Sequence, residues 1–270
     1  MTAKKSVQLL GVPFDLNSSY LLGAAEAPAC IRTALGCDSA NLWTEDGIDL
    51  GEPDLIQDAG DLKIPVDSEA AFRAIEQGVT SALEAGFPLI SLGGDHSITY
   101  PILWAFHKKF PNLTILHLDA HPDLYDEFEG SRLSHACPFA RIMEERLARR
   151  LVQVGIRTAT RHQREQAERF GVEIIEMRAM ETAANLQLEG PLYISFDMDV
   201  LDPAFAPGIS HYEPGGMSVR EALTTIQSVR VPIVGADIVE FNPVRDRDDQ
   251  TAMVAAKIVK ELAAAMIRTS

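Results

Sequence analysis

Short, continuous apolar runs recur along this chain, and most successive pairs leave room for one helix between them. The runs are Val7–Val12, Leu55–Asp58, Pro88–Leu92, Thr114–Leu118, Leu151–Gly155, Glu173–Ile175, Leu192–Phe196 and Ile233–Ile238. Helical patterns fall between or after them, at Ser68–Ala85, Thr99–Lys108, Phe139–Arg149, Arg161–Phe170, Val219–Ser228 and Gln250–Ile267. A strand that is apolar along its whole length, rather than at every second residue, is covered on both faces. Strands separated by helices pair in parallel, because a parallel neighbour needs a long crossover. The expected fold is α/β, three layers α/β/α around a mostly parallel central sheet. No linker, repeat or low-complexity segment divides the 270 residues, a length that one core still spans, so a single domain over 1–270 is expected.

Charge narrows the function. Asp and Glu number 39 against 24 Lys and Arg, a formal net charge of −15. Nucleic-acid binding needs a basic footprint, so that class is excluded as an expectation. No run reaches the roughly 18 apolar residues of a membrane span. The start, Lys4-Lys5 before Val7–Val12, is broken at once by Pro13, Asp15 and Asn17, and reads as a first strand rather than a signal peptide. Cys30, Cys37 and Cys137 cannot all pair and show no CxxC spacing, which gives an expectation of reduced thiols and a cytoplasmic setting.

The chemistry sits where the strands end. Pro88–Leu92 runs into Gly93-Gly94-Asp95-His96-Ser97, and Thr114–Leu118 into Asp119-Ala120-His121-Pro122-Asp123. Leu192–Phe196 runs into Asp197-Met198-Asp199, and Ile233–Ile238 into Val239-Glu240-Phe241-Asn242-Pro243. In an open parallel sheet, ligands bind at the carboxyl ends of the strands. Asp119, His121 and Asp123 are spaced by two residues, so extended backbone projects them to one side, and Asp197 and Asp199 repeat the device. An Asp after a strand is ordinarily a turn or capping residue, but capping does not account for so many on adjacent motifs. Four carboxylates gathered together repel one another, and two divalent cations would balance them. With His96 and His121 the donors are hard oxygen and imidazole nitrogen without thiolate, which suits manganese better than zinc. Carboxylates can bridge, so two metals about 3.5–4 Å apart sharing a hydroxide are expected. His107 and His162 lie among charged helix neighbours and read as surface residues; His117, inside a strand, reads as core packing rather than a ligand.

These blocks carry a resemblance. Gly93–Ser97, Asp119–Asp123 and Ser195-Phe196-Asp197-Met198-Asp199-Val200-Leu201-Asp202-Pro203 resemble the three signature blocks of the ureohydrolase (arginase/agmatinase) family. Phe128-Glu129-Gly130, Ser134-His135-Ala136, residues 206–216 and residues 251–257 are similar to the plant-type arginases, and the likeness spans nearly the whole chain. The resemblance implies the arginase-like fold and a manganese-dependent hydrolase that cleaves L-arginine to L-ornithine and urea through a metal-bridging hydroxide. It places one manganese ion on His96, Asp119, Asp123 and Asp197, and the second on Asp119, His121, Asp197 and Asp199. It makes Glu240 the holder of the guanidinium and His135 the proton shuttle to the leaving amine, and it implies a homo-oligomer, trimer or hexamer. Physical chemistry agrees: a guanidinium stays protonated at ordinary pH, and neutral water attacks such a carbon poorly. Asp123 is suited to take the nucleophile's proton and pass it on, and His135 to exchange protons with solvent.

Two departures bear on the substrate. Animal arginases carry Asn two residues after the third ligand of the Asp-Ala-His block, and here Tyr125 stands there, so carboxylate recognition does not transfer. Many relatives carry Thr-Gly-Thr-Pro where this chain has Ile209-Ser210-His211-Tyr212. His211 and Glu213 are therefore expected near the substrate tail, with Glu213 meeting a tail cation and Asn17 adding a polar contact. Agmatine hydrolysis to putrescine and urea is the alternative, followed by other guanidino compounds such as 4-guanidinobutyrate. A non-catalytic metal-bound subunit would lack a ligand, and a mononuclear zinc hydrolase would need fewer.

Overall fold

The structure is a computed structural model that describes residues 6–180 and 186–270; Lys4 and Lys5 lie outside the described residues. In chain order the elements are β1 (Val7–Gly11), α1 (Ala27–Leu35), β2 (Ile56–Asp61), α2 (Ser68–Leu83), β3 (Leu89–Leu92), α3 (Thr99–Lys109), β4 (Thr114–Leu118) and α4 (Pro138–Glu144). Then follow β5 (Arg150–Ile156), α5 (Arg161–Phe170), β6 (Glu173–Glu176), β7 (Leu192–Asp197), α6 (Val219–Ser228), β8 (Ile233–Val239) and α7 (Gln250–Thr269). Each expected strand and helix is present. α1 was not foreseen: it is short, opens with Pro28 in its first turn, and is held by Ala27, Ile31 and Ala34 packing on the core. α4 stops at Glu144 instead of running to Arg149, because Arg146 turns into the left-handed region at φ 58°.

The strands form one sheet in the order β2-β1-β3-β8-β7-β4-β5-β6, and every pairing is parallel. Successive side chains point to opposite faces, so each apolar strand feeds two cores. Leu9, Ile90, Leu116, Val152 and Ile194 pack with α1, α6 and α7 on one face. Leu10, Leu89, Ile115, Leu151 and Tyr193 pack with α2, α3, α4 and α5 on the other. Three layers result. No helix among the described residues is long and apolar enough to cross a membrane.

Register positions the site. Leu92 pairs with Ile238, Ile238 with Phe196, and Phe196 with Leu118. These residues form one row across β3, β8, β7 and β4, four contiguous strands at the centre of the sheet. The motifs noted above begin immediately beyond that row. At about 4.8 Å per strand, four neighbouring strand ends span roughly 15 Å, so the chemistry is confined to one short edge.

Candidate active site

Each strand leaves the row through a tight turn, and the turn aims the side chains. After β3, Gly94 is required by close approach: a Cβ there would stand 1.8 Å from the Phe14 carbonyl oxygen. The Gly94 carbonyl in turn accepts the Glu240 amide at 2.9 Å, tying the β3 and β8 loops together. Asp95 and Asp197 do serve as caps: Asp95 accepts from Ser97 N, and Asp197 from Asp199 N at 2.7 Å. For Asp197 the capping oxygen is Oδ1, while Oδ2 lies 3.0 Å from His96 Nδ1, so one carboxylate serves both the turn and the site. Asp123 and Glu240 have φ of 50° and 62°, a left-handed conformation that non-glycine residues adopt at a cost.

His96, Asp119, Asp123 and Asp197 converge. His96 Nδ1 lies 3.2 Å from Asp119 Oδ2, 3.1 Å from Asp123 Oδ2 and 3.0 Å from Asp197 Oδ2. The opposite ring nitrogen fixes its chemistry. Ser195 donates its hydroxyl proton to Asp237 Oδ1 at 2.7 Å, so its oxygen is left to accept from His96 Nε2 at 2.9 Å. Asp237 is held in turn by Thr99 and Tyr193. His96 Nδ1 is buried and makes no hydrogen bond. Burial opposes charge on His96, but Asp119, Asp123 and Asp197 outweigh it and raise its basicity, so Nδ1 among them will take up a positive charge, a proton or a metal cation. The second group gathers beside it, with His121 Nδ1 3.0 Å from Asp199 Oδ2 and 3.4 Å from Asp119 Oδ1.

The carboxyl groups are driven apart in acidity. Burial, with Asp199 and Asp119 nearby, pushes Asp197 well above the usual range, and burial also raises Asp199. Burial opposes ionisation of Asp119 too, but the charges and hydrogen bonds of His117, His121 and His96 prevail and hold it well below. Clustered oxygen donors with two imidazoles, among them a buried unpartnered nitrogen, fit a divalent-metal pair.

His117 corrects the reading of it as core packing alone. It is fully buried and stacks on Phe139, but β4 places it on the same face as Asp119, and its Nε2 meets Asp119 Oδ2 at 2.7 Å. Gln153, its register partner on β5, donates to Nδ1 at 3.0 Å and to the Pro122 carbonyl at 2.6 Å. That leaves the His117 proton on Nε2, pointed at Asp119.

A cavity of ≈ 200 Å³ opens against this cluster, lined by His121, Asp123, Asp197 and Asp199, by His135, His211 and Glu240, and by Ser19, Tyr125 and Phe128. Ala136, Thr158, Thr160 and Gln163 complete it. Glu240 Oε1 accepts from His96 N and from His135 Nδ1, both at 2.8 Å, and His135 Nε2 meets Ser19 Oγ at 2.8 Å. Burial opposes charge on His135, but Glu240 outweighs it and pushes the imidazole up to about 9. Burial likewise opposes ionised Glu240, which His135 nevertheless holds down at about 2. His211 lies 5.2 Å ring to ring from His135.

Two expected contacts are not formed. The Asn17 side chain is spent on Ser97 Oγ and Ser68 Oγ, at 3.1 and 2.9 Å, and does not line the cavity. Glu213 does not line it either; its carbonyl accepts Arg157 Nε at 2.7 Å. Sequence reasoning missed Thr158, Thr160 and Gln163, which follow β5 and lie far from any acidic motif. It also missed Arg157, whose guanidinium bonds the carbonyls of Asp199, Val200 and Leu201 at 2.6, 3.2 and 3.4 Å. His107 and His162 stay outside the cavity; His162 is exposed as expected, whereas His107 is half-buried with Nδ1 3.1 Å from the Leu147 carbonyl.

Comparison with known proteins agrees with this geometry. The Arginase family matches residues 5–265. The chain is 51% identical to "Arginase 1, mitochondrial" of Arabidopsis thaliana over 97% of this chain and 81% of that protein. It is 35% identical to an agmatinase of Bacillus anthracis over 96% of this chain and 91% of the relative. Its fold superposes on an arginase from Medicago truncatula with a TM-score of 0.93 at 46% identity, covering 97% and 87% of the two chains. Arginases of both plants are named mitochondrial, which overturns the cytoplasmic expectation. Its premise was too weak: the cysteines are unpaired, but unpaired thiols distinguish reducing from oxidising surroundings, not cytosol from organelle interior. With motifs, sheet topology and these relatives in accord, the chain belongs to the arginase family.

Proposed function

We propose that this chain hydrolyses L-arginine to L-ornithine and urea, with two manganese ions. The observation that carries the reading is the buried, unpartnered His96 Nδ1 among three carboxylates, beside the Glu240–His135 pair. His96, Asp119, Asp123 and Asp197 would hold one ion, and Asp119, His121, Asp197 and Asp199 the other. Bound there, the ions would neutralise the carboxylates and make water a competent nucleophile at neutral pH.

The chain's own groups do the rest. Glu240, ionised and cavity-lining, matches a planar guanidinium through paired charge-assisted hydrogen bonds. His96 N and His135 hold its Oε1 in place, so little reorganisation is needed when the substrate arrives. Asp123 takes the proton released as water attacks the guanidinium carbon and hands it to the departing nitrogen. His135, protonated near neutral pH, resupplies protons to the ornithine amine, and Ser19 orients its ring.

A second reading, agmatine hydrolysis, is favoured by one observation: among the described residues no Lys or Arg lines the cavity to meet a carboxylate. Urea release from arginine, agmatine and 4-guanidinobutyrate, each with manganese and with a chelator, tests both. The expected result is manganese-dependent release, fastest from arginine; agmatine as the preferred substrate would favour the second reading, and no urea from any would overturn both. The same proposal includes a trimeric or hexameric assembly, which sedimentation would measure.

A further inference from the structure

A substrate with a carboxylate tail enters a cavity that already holds Asp123, Asp197, Asp199 and Glu240 and, among the described residues, offers it no Lys or Arg. His135, a cation on the cavity wall, already has its charge engaged by Glu240 at 2.8 Å, so neutral donors are what remains for the tail. Gln163 is such a donor. It is 3% exposed, lines the cavity, and is the third residue of α5, a ten-residue helix. Its Oε1 is committed to the capping box, accepting from Thr160 N at 3.0 Å and lying 3.2 Å from Thr160 Oγ1. With Oε1 engaged by the cap, Nε2 is the end of the amide left to donate, and no hydrogen bond from it to a described residue competes with a ligand. The helix end adds partial positive charge at the same place.

We infer that Gln163 recognises the substrate α-carboxylate, its Nε2 donating to a carboxylate oxygen at the N-terminal turn of α5, and that it thereby sets the preference for arginine over agmatine. The inference rests on the arginase reading. The capping box makes the test unusually clean, because glutamate serves that box as well as glutamine does. Gln163→Glu keeps the oxygen that caps α5 and turns the donor into an acceptor.

The experiment is steady-state kinetics of the manganese-loaded full chain on arginine and agmatine, with metal content and Tm measured in parallel. Gln163→Glu is expected to raise KM for arginine at least about tenfold, the loss of one hydrogen bond to a charged group. Its kcat should hold within about twofold, the signature of lost uniform binding. KM for agmatine, whose tail ends in an ammonium, should stay level or fall. Gln163→Ala, which loses donor and acceptor alike, should raise KM for arginine and leave agmatine unmoved. Equal KM changes for both substrates, or an unchanged KM for arginine, would overturn the inference while the arginase reading stands. A wild-type chain that releases no urea from arginine would instead remove the reading beneath it.

Discussion

At Asp119 one carboxylate answers to three histidines. His96 and His121 approach it from neighbouring loops, and His117 reaches it from within its own strand. The motif residues around it were legible because they differ in kind from what surrounds them: acids and imidazoles directly after apolar strands. His117 was not, because its role depends on Gln153, a residue brought opposite it only by the register of β4 and β5. No local pattern reports a cross-strand partner. We predict that His117→Phe, which keeps an aromatic ring against Phe139, lowers manganese affinity by about 10–100-fold, the usual cost of losing a hydrogen bond to a metal-binding group. Equilibrium dialysis would measure it, and an unchanged affinity would show that Asp119 is oriented without His117. Cys137 lies in the site motif Ser134-His135-Ala136-Cys137, yet burial, with Asp123 nearby, pushes its thiol up to about 12, far from the range of a nucleophile.

Among the elements, the short turn after β7 depends most on a distant residue. Met198–Val200 forms a single 3₁₀ turn, too short to satisfy its own terminal carbonyls. Arg157, just past β5, donates to the carbonyls of Asp199 and Leu201 and adds a second donor to Val200, which already accepts Met217 N, and its Nε holds the Glu213 carbonyl. One guanidinium therefore ties the Asp199 turn to the segment carrying His211. Arg157→Lys keeps the charge but cannot present this fork. It is expected to cost about 1–3 kcal/mol of stability and to weaken metal retention, read by thermal unfolding with and without manganese. Full retention of metal would assign Arg157 to stability alone. The longer elements were readable from sequence because their apolar periods are strong. α1 was not, because its nine residues stay helical through packing against α7 rather than through a pattern of their own.

Across the whole molecule, the acidic excess is partly structural. Glu45 receives two hydrogen bonds from Arg220 and one from Gln227 on α6, and its backbone N donates to Glu261 on α7. Those side-chain hydrogen bonds from Arg220 and Gln227 hold the Glu45 carboxyl at about 2, below its ordinary 4.5. A group depressed on folding contributes stability above its unfolded value and loses it as pH falls through the folded one. The Tm difference between wild type and Glu45→Gln is therefore expected to be constant above about pH 5 and to shrink as pH falls from 4.5 toward 2. Because the pair is exposed, the difference should be small and should fade with added salt. A gap that does not change with pH would place the effect in packing.

The last strand is the one in the middle. β8 pairs with β3 on one side and with β7 on the other. Before residues 233–239 leave the ribosome, the nascent chain can assemble only two separate parallel sheets, β2-β1-β3 and β7-β4-β5-β6, each ending in an unpaired edge. His96 belongs to the first and Asp119, His121, Asp123, Asp197 and Asp199 to the second. Synthesis thus withholds the proposed ligand set that includes His96 until β8 zips the halves together, and the same event delivers Glu240. A translation product arrested before β8 would carry every proposed metal ligand and still lack the strand that brings His96 beside the others.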